Sequence, residues 1–428
     1  MTTTVAISEE LLALGRAARA ASRTLARLRT DAKDRALRAI AEGLRTKQSE
    51  VLAANHRDME AGRRNGLGEA LLDRLMLNPA RLEDMARGVE DIVRLPDPVG
   101  EEFDVRVLPN GLRLGRRRVP LGVIGVIFES RPNVTIDIAA LCIKSGNACI
   151  LRGGSEAFHS TTALVGLIRA ALATAGVTQD AVQSVASTDR ALVTQMLQMK
   201  GAIDLLIPRG GADLVRFVAE HATMPAVTGG IGVCHTYVDR SADLDAAVRI
   251  VFNAKVQRPS VCNALDCVLV HSEAAPKLLP ALADRLAEAD VELRCDARAL
   301  ALLGPPERRA RVTPATPDDW GKEFLSLVLA VKVVDSQDEA QAHIERYGSG
   351  HTEAILTEDY SAAMRFVDEV DAAAVMVNAS TRFNDGGQFG LGAEVAISTN
   401  KMHARGPMGL RELTSYKWVV LGTGQVRP

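Results

Sequence analysis

From Leu121 the chain becomes an alternation of short apolar runs and helix-period segments. LGVIGVIFES is followed by VTIDIAALCIKSG, then NACILRGG, then a helical pattern from about Thr161 to Ala175. Strand-length runs interleaved with helices predict a mostly parallel sheet with the helices crossing over its faces. Sheets of this kind take ligands beyond the carboxyl ends of their strands, so the residues after each apolar run are the first places to look for function. The series continues with VQSVAS, AIDLLIPRGG and VCHTYVD, separated by the helical ALVTQMLQMK and ADLVRFVAEHA. A second α/β block runs from about Asp239 to Ala374, with VLVH, VELRC, LAVKVVD and AILTED as its strands.

The flanks differ. Residues 7 to about 95 place apolar side chains at three- and four-residue spacing, as in ISEELLALGRAARAASRTLARL and DAKDRALRAIAEGLRTK, which predicts helices throughout. DVRVLPNGLRLGRR then alternates apolar and polar residues on both sides of Pro109-Asn110-Gly111, a hairpin signal. An arginine-rich hairpin has little core of its own to cover, so an arm that pairs with another subunit is expected, and the C-terminal YKWVVL reads as a strand able to join it. The Pro/Thr-rich stretch from Gly304 to Pro317 reads as a surface loop.

Bulk composition narrows the function classes. A chain of 428 residues exceeds one core, so two or three structural units are expected. A formal net charge of −2 with 4% aromatic residues argues against a nucleic-acid platform, which needs a basic bias and stacking rings. The longest apolar stretches are strand-length, so no membrane span is expected. MTTTVAISEELLALG lacks the features of a signal peptide, and a cytoplasmic location is the expectation.

Six cysteines stand at 142, 149, 234, 262, 267 and 295, with no CxxC and no ligand-like spacing to the eight histidines. Neither a metal site nor a disulfide framework is expected. Cys142, Cys149, Cys234 and Cys267 lie inside apolar runs and read as small buried hydrophobes. Cys262 is different. In NAKVQRPSVCNALD it follows an apparent helix (about Asp243 to Gln257), precedes an apparent strand (about Asp266 to His271), and has Lys255 and Arg258 nearby. Cationic neighbours favour the thiolate, which is the nucleophile.

Polar or glycine-rich residues follow an apolar strand in FESRPNVT (128–135), ILRGGSE (150–156), LIPRGGAD (206–213) and VNASTRFNDGG (377–387). Glycines after strands let backbone approach a ligand closely, and a following helix N-terminus favours an anion. There is no GxGxxG after a first strand and no GxxxxGK[ST]. The order of these segments, with NAKVQRPSVCNA, KEFLSLVLAVKVV, YGSGHTEAILTED and VNASTRFNDGGQFGLGAE, resembles the aldehyde dehydrogenase superfamily over essentially the full length. Within it the chain resembles the γ-glutamyl phosphate reductase family.

That resemblance implies an α/β fold with a Rossmann-like cofactor domain (1–103 and 121–240), an α/β catalytic domain (241–376) and a β-hairpin oligomerisation arm (104–120 with 395–428). It implies Cys262 as catalytic nucleophile, with the Asn133 amide and the Cys262 backbone N–H forming an oxyanion hole. Glu323 corresponds to a nicotinamide-ribose contact. Arg152 occupies the place of an adenosine-ribose lysine, Gly153 and Ser155 follow it, and Gly210-Gly211 corresponds to a loop near the cofactor pyrophosphate. Arg131, Lys255, Arg258 and Arg382 lie in the matching motifs, where cations would meet a phosphate. The implied reaction is NADPH-dependent reduction of L-glutamate 5-phosphate to the 5-semialdehyde plus phosphate, in proline biosynthesis. A homodimer or homotetramer is expected, and association with glutamate 5-kinase is conceivable.

One departure is informative. Hydrolytic members carry a water-activating glutamate, whereas the corresponding stretch here, VTGGIGVCHTYVD, has no carboxylate before Asp239. A thioester on Cys262 is then expected to resist water and stay open to phosphate. NADP rather than NAD is expected from Arg152 and Ser155, with Glu156 as the acidic residue that would argue the other way. Two alternatives remain open at this level: an acylating dehydrogenase using coenzyme A, which would also lack the hydrolytic base, and a non-catalytic nucleotide-binding or assembly protein that keeps only the fold. The joint presence of Cys262, Asn133 and Glu323 argues against the second.

Overall fold

The computed structural model describes residues 6–227, 229, 231–304 and 311–427. It divides into two units, one made of Met1–Thr228, Gly390–Ala396 and Met408–Pro428, the other of Gly229–Phe389 and Ile397–Pro407.

The first unit begins with α1 (Glu9–Leu25), α2 (Thr30–Thr46), α3 (Gln48–Arg64), α4 (Glu69–Leu75) and α5 (Pro79–Arg94). Their starts follow the local chemistry. Ser8 accepts from the Leu11 N–H at the head of α1, and Asn78 accepts from the Arg81 N–H at the head of α5, where Pro79 supplies a preset φ. Each helix buries one stripe. In α2 it is Ala36, Leu37, Ile40, Ala41 and Leu44, and in α5 it is Leu82, Met85, Ala86, Val89 and Ile92. Each leucine removed from water in this way contributes about 1.5 to 3 kcal/mol.

The predicted hairpin forms as β1 (Glu102–Val107) and β2 (Arg113–Pro120), paired antiparallel with a register shift between Phe103 and Arg106, and with Asp104 at φ 52°. The C-terminal strand Thr414–Leu421 pairs antiparallel with β2 along its whole length. Both edges of β2 are thus filled from within the chain, and the sheet's outer edges are β1 and the C-terminal strand. The Arg116 guanidinium lies 4.7 Å from the Tyr416 ring centroid and 4.6 Å from that of Trp418, so its charge rests on aromatic faces.

The strand-helix alternation becomes β3 (Val123–Phe128), α6 (Asn133–Lys144), β4 (Ala148–Gly153), α7 (Phe158–Thr174), β5 (Val182–Ser184), α8 (Ala191–Met196), β6 (Leu205–Arg209) and α9 (Ala212–His221). The four strands are parallel in the order β5-β4-β3-β6. All six residues of β3 are buried, which is why VIGVIF is continuously apolar rather than alternating. Strand order reverses between β3 and β6, so the ends of these two strands frame the crevice where such sheets hold ligands.

The second unit contains β7 (Cys234–Val238), α10 (Leu244–Val256), β8 (Leu265–His271), α11 (Ala275–Ala287), β9 (Glu292–Cys295), α12 (Ala297–Leu303), β10 (Val312–Pro314), β11 (Val328–Val334), α13 (Gln337–Tyr347), β12 (Thr352–Leu356), α14 (Tyr360–Glu369) and β13 (Ala374–Val377). Its sheet is parallel, in the order β10-β9-β11-β8-β7-β12-β13. One apolar cluster joins Val251, Leu265, Leu278, Leu282 and Leu329, and another joins Tyr237, Leu269, Ile344, Ile355 and Phe366.

Two sequence expectations change here. The run VCHTYVD, on the early side of residue 240, forms a central strand of this second sheet, because hydrophobic pattern does not say which sheet an apolar strand joins. Within the stretch read as a loop from Gly304 to Pro317, Val312–Pro314 forms a short edge strand on β9; three residues ending in proline leave no periodic signal, and an edge tolerates that proline. Residues 305–310 of that stretch lie outside the described residues, as do positions 228 and 230 of VTGGIGVCHTYVD. Among the described residues no helix is long and apolar enough to cross a membrane.

Candidate active site

In the second unit, Cys262 sits on the predicted loop between α10 and β8 and is partly exposed. Neutral hydrogen bonds hold this loop. Asn263 donates through Nδ2 to the Asn384 carbonyl at 2.9 Å, and the Thr381 hydroxyl donates to the Asn263 carbonyl at 2.8 Å. Asn384 in turn donates to the Thr352 hydroxyl at 2.7 Å. The motifs NAKVQRPSVCNA and VNASTRFNDGG, more than a hundred residues apart, are therefore stitched together directly behind the cysteine.

A third segment closes in from β7. The Cys234 thiol donates to the Cys262 carbonyl at 3.2 Å. Gly232 packs so tightly against that carbonyl that a β-carbon would overlap it, so only glycine fits. The Gly232 N–H donates to the Glu323 carboxylate at 3.0 Å, which brings Glu323 to the backbone beside the cysteine loop.

The three cations assigned to this region part company. Arg258 is exposed. Arg382 is partly buried and donates through Nε to Gln257 at 2.9 Å; burial lowers its pKa, and it feels the charges of Asp385, Cys262 and Arg258. Lys255, expected among the phosphate-binding cations, is fully buried instead. It donates to the Leu265 carbonyl at 2.7 Å and lies 3.5 Å from Asp266. Its place on the core face of α10 turns the ammonium toward β8, and burial lowers its pKa. Burial also pushes Asp266 up to about 6, against the charge of Lys255 and a hydrogen bond from the Phe324 N–H at 3.1 Å. That last bond anchors the residue next to Glu323.

In the first unit the candidates gather at the carboxyl ends of β3, β4 and β6. Asn133 opens α6, and its Nδ2 donates to Asp137 one turn later at 3.1 Å. Arg131 lies in the turn just before it, partly buried. Arg152 ends up only 7% exposed, with Nη1 on the Gly153 carbonyl at 2.8 Å and Nη2 on the Thr188 carbonyl at 3.2 Å. Its Nε is buried with no partner, and burial lowers its pKa. Ser155 is exposed at the turn that leads into α7. Glu156 does not stand free as a ribose acceptor: its carboxylate takes the Ser130 N–H at 2.6 Å and the Ser130 hydroxyl at 2.8 Å, securing a residue with φ 48°.

Gly210 and Gly211 are exposed between β6 and α9. The Gly211 N–H donates to Glu129 at 3.0 Å, and a β-carbon on Gly210 would collide with that same carboxylate. The mouth therefore already binds an anionic oxygen, as a glycine-opened helix N-terminus should. Glu129, Asp137, Asp266 and Gly232 were not singled out by sequence reasoning. Of these, only Asp137 carried a legible signal, its four-residue spacing from Asn133 on one helix.

The structure also makes a convergence that no spacing announces. Side-chain donor atoms of His235, Cys267 and His343, all buried, lie within 4.8 Å of one another. Glu353 holds His235 Nδ1 at 3.1 Å, and Lys332 stands 3.4 Å from His343 Nδ1. Burial drives the Cys267 thiol well up and His343 down to about 3, so both are uncharged, and the neighbouring lysine disfavours a further cation. We read it as a buried polar cluster inside the sheet.

Known proteins resemble this chain over nearly its full length. A family model described as the aldehyde dehydrogenase family matches residues 1–305. The chain is 57% identical over 412 residues to the γ-glutamyl phosphate reductase of Dehalococcoides mccartyi strain CBDB1, covering 96% of this chain and 97% of that one. It is 56% identical over 420 residues to the γ-glutamyl phosphate reductase of Chloroflexus aggregans, covering 98% and 99%. The crystal structure of γ-glutamyl phosphate reductase from Thermotoga maritima superposes with a TM-score of 0.94 at 48% identity, covering 98% of this chain and all of that one. With its fold, its cysteine loop and its full-length likeness in accord, the chain belongs to the aldehyde dehydrogenase family and, within it, to the γ-glutamyl phosphate reductases.

Proposed function

We propose that this protein catalyses the NADPH-dependent reduction of L-glutamate 5-phosphate to L-glutamate 5-semialdehyde and phosphate, in proline biosynthesis. The observation that carries the reading is the Cys262 loop, pinned by Asn263, Thr381 and Gly232 and accompanied by Arg258 and Arg382.

Sulfur of Cys262 attacks the acyl carbon, the carbon–oxygen bond to phosphate breaks, and a thioester forms. Arg258 and Arg382 bind the departing phosphate, and Arg131 is the further cation we assign to the substrate. Asn133 and the Cys262 N–H donate to the oxygen that becomes negative in each tetrahedral intermediate; one such donor contributes about 3 to 4 kcal/mol. Lys255 acts from below by holding α10 against β8. The first-unit mouths suit a dinucleotide: Gly211 presents an N–H that donates to an anionic partner, Gly153 and Ser155 border the β4 turn, and Arg152 shapes that turn. Glu323 is assigned to the ribose. The cofactor, when bound, supplies the hydride that reduces the thioester to the aldehyde level, after which the Cys262 thiolate is released. No carboxylate replaces the hydrolytic glutamate among the described residues of 227–239 before Asp239, which favours phosphate over water as the partner of the thioester.

The test runs in reverse. Reduction of NADP with glutamate semialdehyde should require inorganic phosphate and vanish in Cys262→Ala, with cofactor binding retained. Equal rates with and without phosphate would overturn the reading.

A further inference from the structure

We infer that Asp137 is a positioning residue for the reaction, holding the Asn133 side-chain amide so that one of its two N–H protons stays available to an oxyanion. The inference rests on the proposed role of Asn133 in the reading above.

Its geometric basis lies within one helix. Asn133 is the first residue of α6 and Asp137 follows at i+4, so both project from the same face one turn apart. Nδ2 of Asn133 lies 3.1 Å from Oδ2 of Asp137. A carboxylate accepts and cannot donate, so an amide turned the other way would set two acceptors against each other; the orientation is dictated by charge. Nδ2 carries two protons and the carboxylate engages one. Without that contact the amide is free to turn about its last torsion and present its carbonyl, which repels a developing negative oxygen.

Asp137 is also out of keeping with its surroundings. Every residue of α6 from Ile138 to Lys144 is buried, as are Val134, Thr135 and Ile136. Although Asp137 keeps some exposure, burial of its carboxyl raises its pKa to about 6, opposed by the Asn133 hydrogen bond and the charge of Arg209 at the end of β6. A carboxyl in that place costs stability, so its presence calls for a job that an apolar residue could not do. Asn133 gains no donor strength from the pair; a carboxylate that accepts one amide N–H slightly weakens the other. Orientation is therefore the contribution.

The experiment is a double-mutant cycle in the phosphate-dependent assay on the full chain, with thermal melting of every variant. Asp137→Leu should lower kcat about tenfold to a hundredfold while KM for the semialdehyde and for NADP moves less than about threefold. Asp137→Asn should keep most of the turnover, because its carbonyl can still accept from Asn133. In an Asn133→Ala background, Asp137→Leu should cost nothing further. Additive losses in that background would show a structural role and overturn the inference while leaving the Asn133 assignment in place. Near-wild-type turnover in Asn133→Ala would remove Asn133 from the chemistry and the inference with it. Should Asp137→Leu fail to fold, Asp137→Asn still decides: loss of turnover in that folded variant overturns the inference.

Discussion

The cysteine loop of the second unit and the glycine mouths of the first solve opposite problems. Around Cys262 the stitches behind the loop are neutral, from Asn263, Thr381, Asn384 and the Cys234 thiol, while the charged groups near it are of both signs, Arg258 and Arg382 with Glu323 and Asp385. At the ends of β3 and β6 the stitches are carboxylates, Glu156 on Ser130 and Glu129 on Gly211. Neutral stitches add no carboxylate of their own to the cations beside the cysteine. A mouth made of backbone N–H groups has no such charge to protect, and carboxylates order it by taking the places an anion would take. The difference teaches that the charge a loop displays is tuned by what props it up.

The contrast breaks first at Gly232. Gly232→Ala should lower turnover by roughly a hundredfold or more, because the new methyl displaces the backbone that carries Cys262. Steady-state kinetics on folded protein, judged by circular dichroism, checks this; turnover within a few-fold of wild type would mean the loop tolerates the shift.

A second break separates two cations three residues apart. Lys255→Met should destabilise the protein by about 3 kcal/mol in urea unfolding, the low end for a broken buried pair, since Asp266 can take up a proton. Arg258→Ala, at an exposed position, should leave the urea midpoint nearly unchanged and raise KM for phosphate by about tenfold. Equal stability losses would erase the distinction between a buried support and a displayed charge.

Glu129→Gln sharpens the other side. It keeps an acceptor for the Gly211 N–H but removes the charge that competes with a pyrophosphate, so KM for the cofactor should fall by about twofold to fivefold. A higher KM would make Glu129 a support rather than a competitor.

The last effect is on acid stability. Burial lowers His351, the residue just before β12 in the second unit, to about 4, below the 6.5 expected of the unfolded chain. The folded state keeps the ring neutral while the unfolded chain takes up a proton, so stability present above about pH 6.5 is lost as pH falls toward about 4. At about pH 5 the loss from this ring is at most about 2 kcal/mol. His351→Gln should therefore lose less stability than the wild type between about pH 7 and pH 5, as read from urea midpoints.

Much of this was legible beforehand. The alternation after Leu121, the hairpin at Pro109-Asn110-Gly111 and the cysteine loop are local patterns, and local patterns survive folding. Lys255 was misjudged because closeness in sequence to Cys262 says nothing about which face of α10 turns inward. Glu156 stood only as the acidic residue that would argue for NAD, and its place against Ser130, twenty-six residues away in the chain, was not visible in the sequence.

By itself the sequence determined the classes of element, the loop that carries Cys262 and the family likeness, since these depend on residue type, spacing and order. Tertiary structure decided that VCHTYVD belongs to the second sheet, that Gly232 must be glycine, that Lys255 is a support, and that Glu129 stands beside Gly211. Each of these depends on which distant backbone or charge lies within about 3 Å, the range over which hydrogen bonds and close packing act, and no one-dimensional pattern encodes that distance.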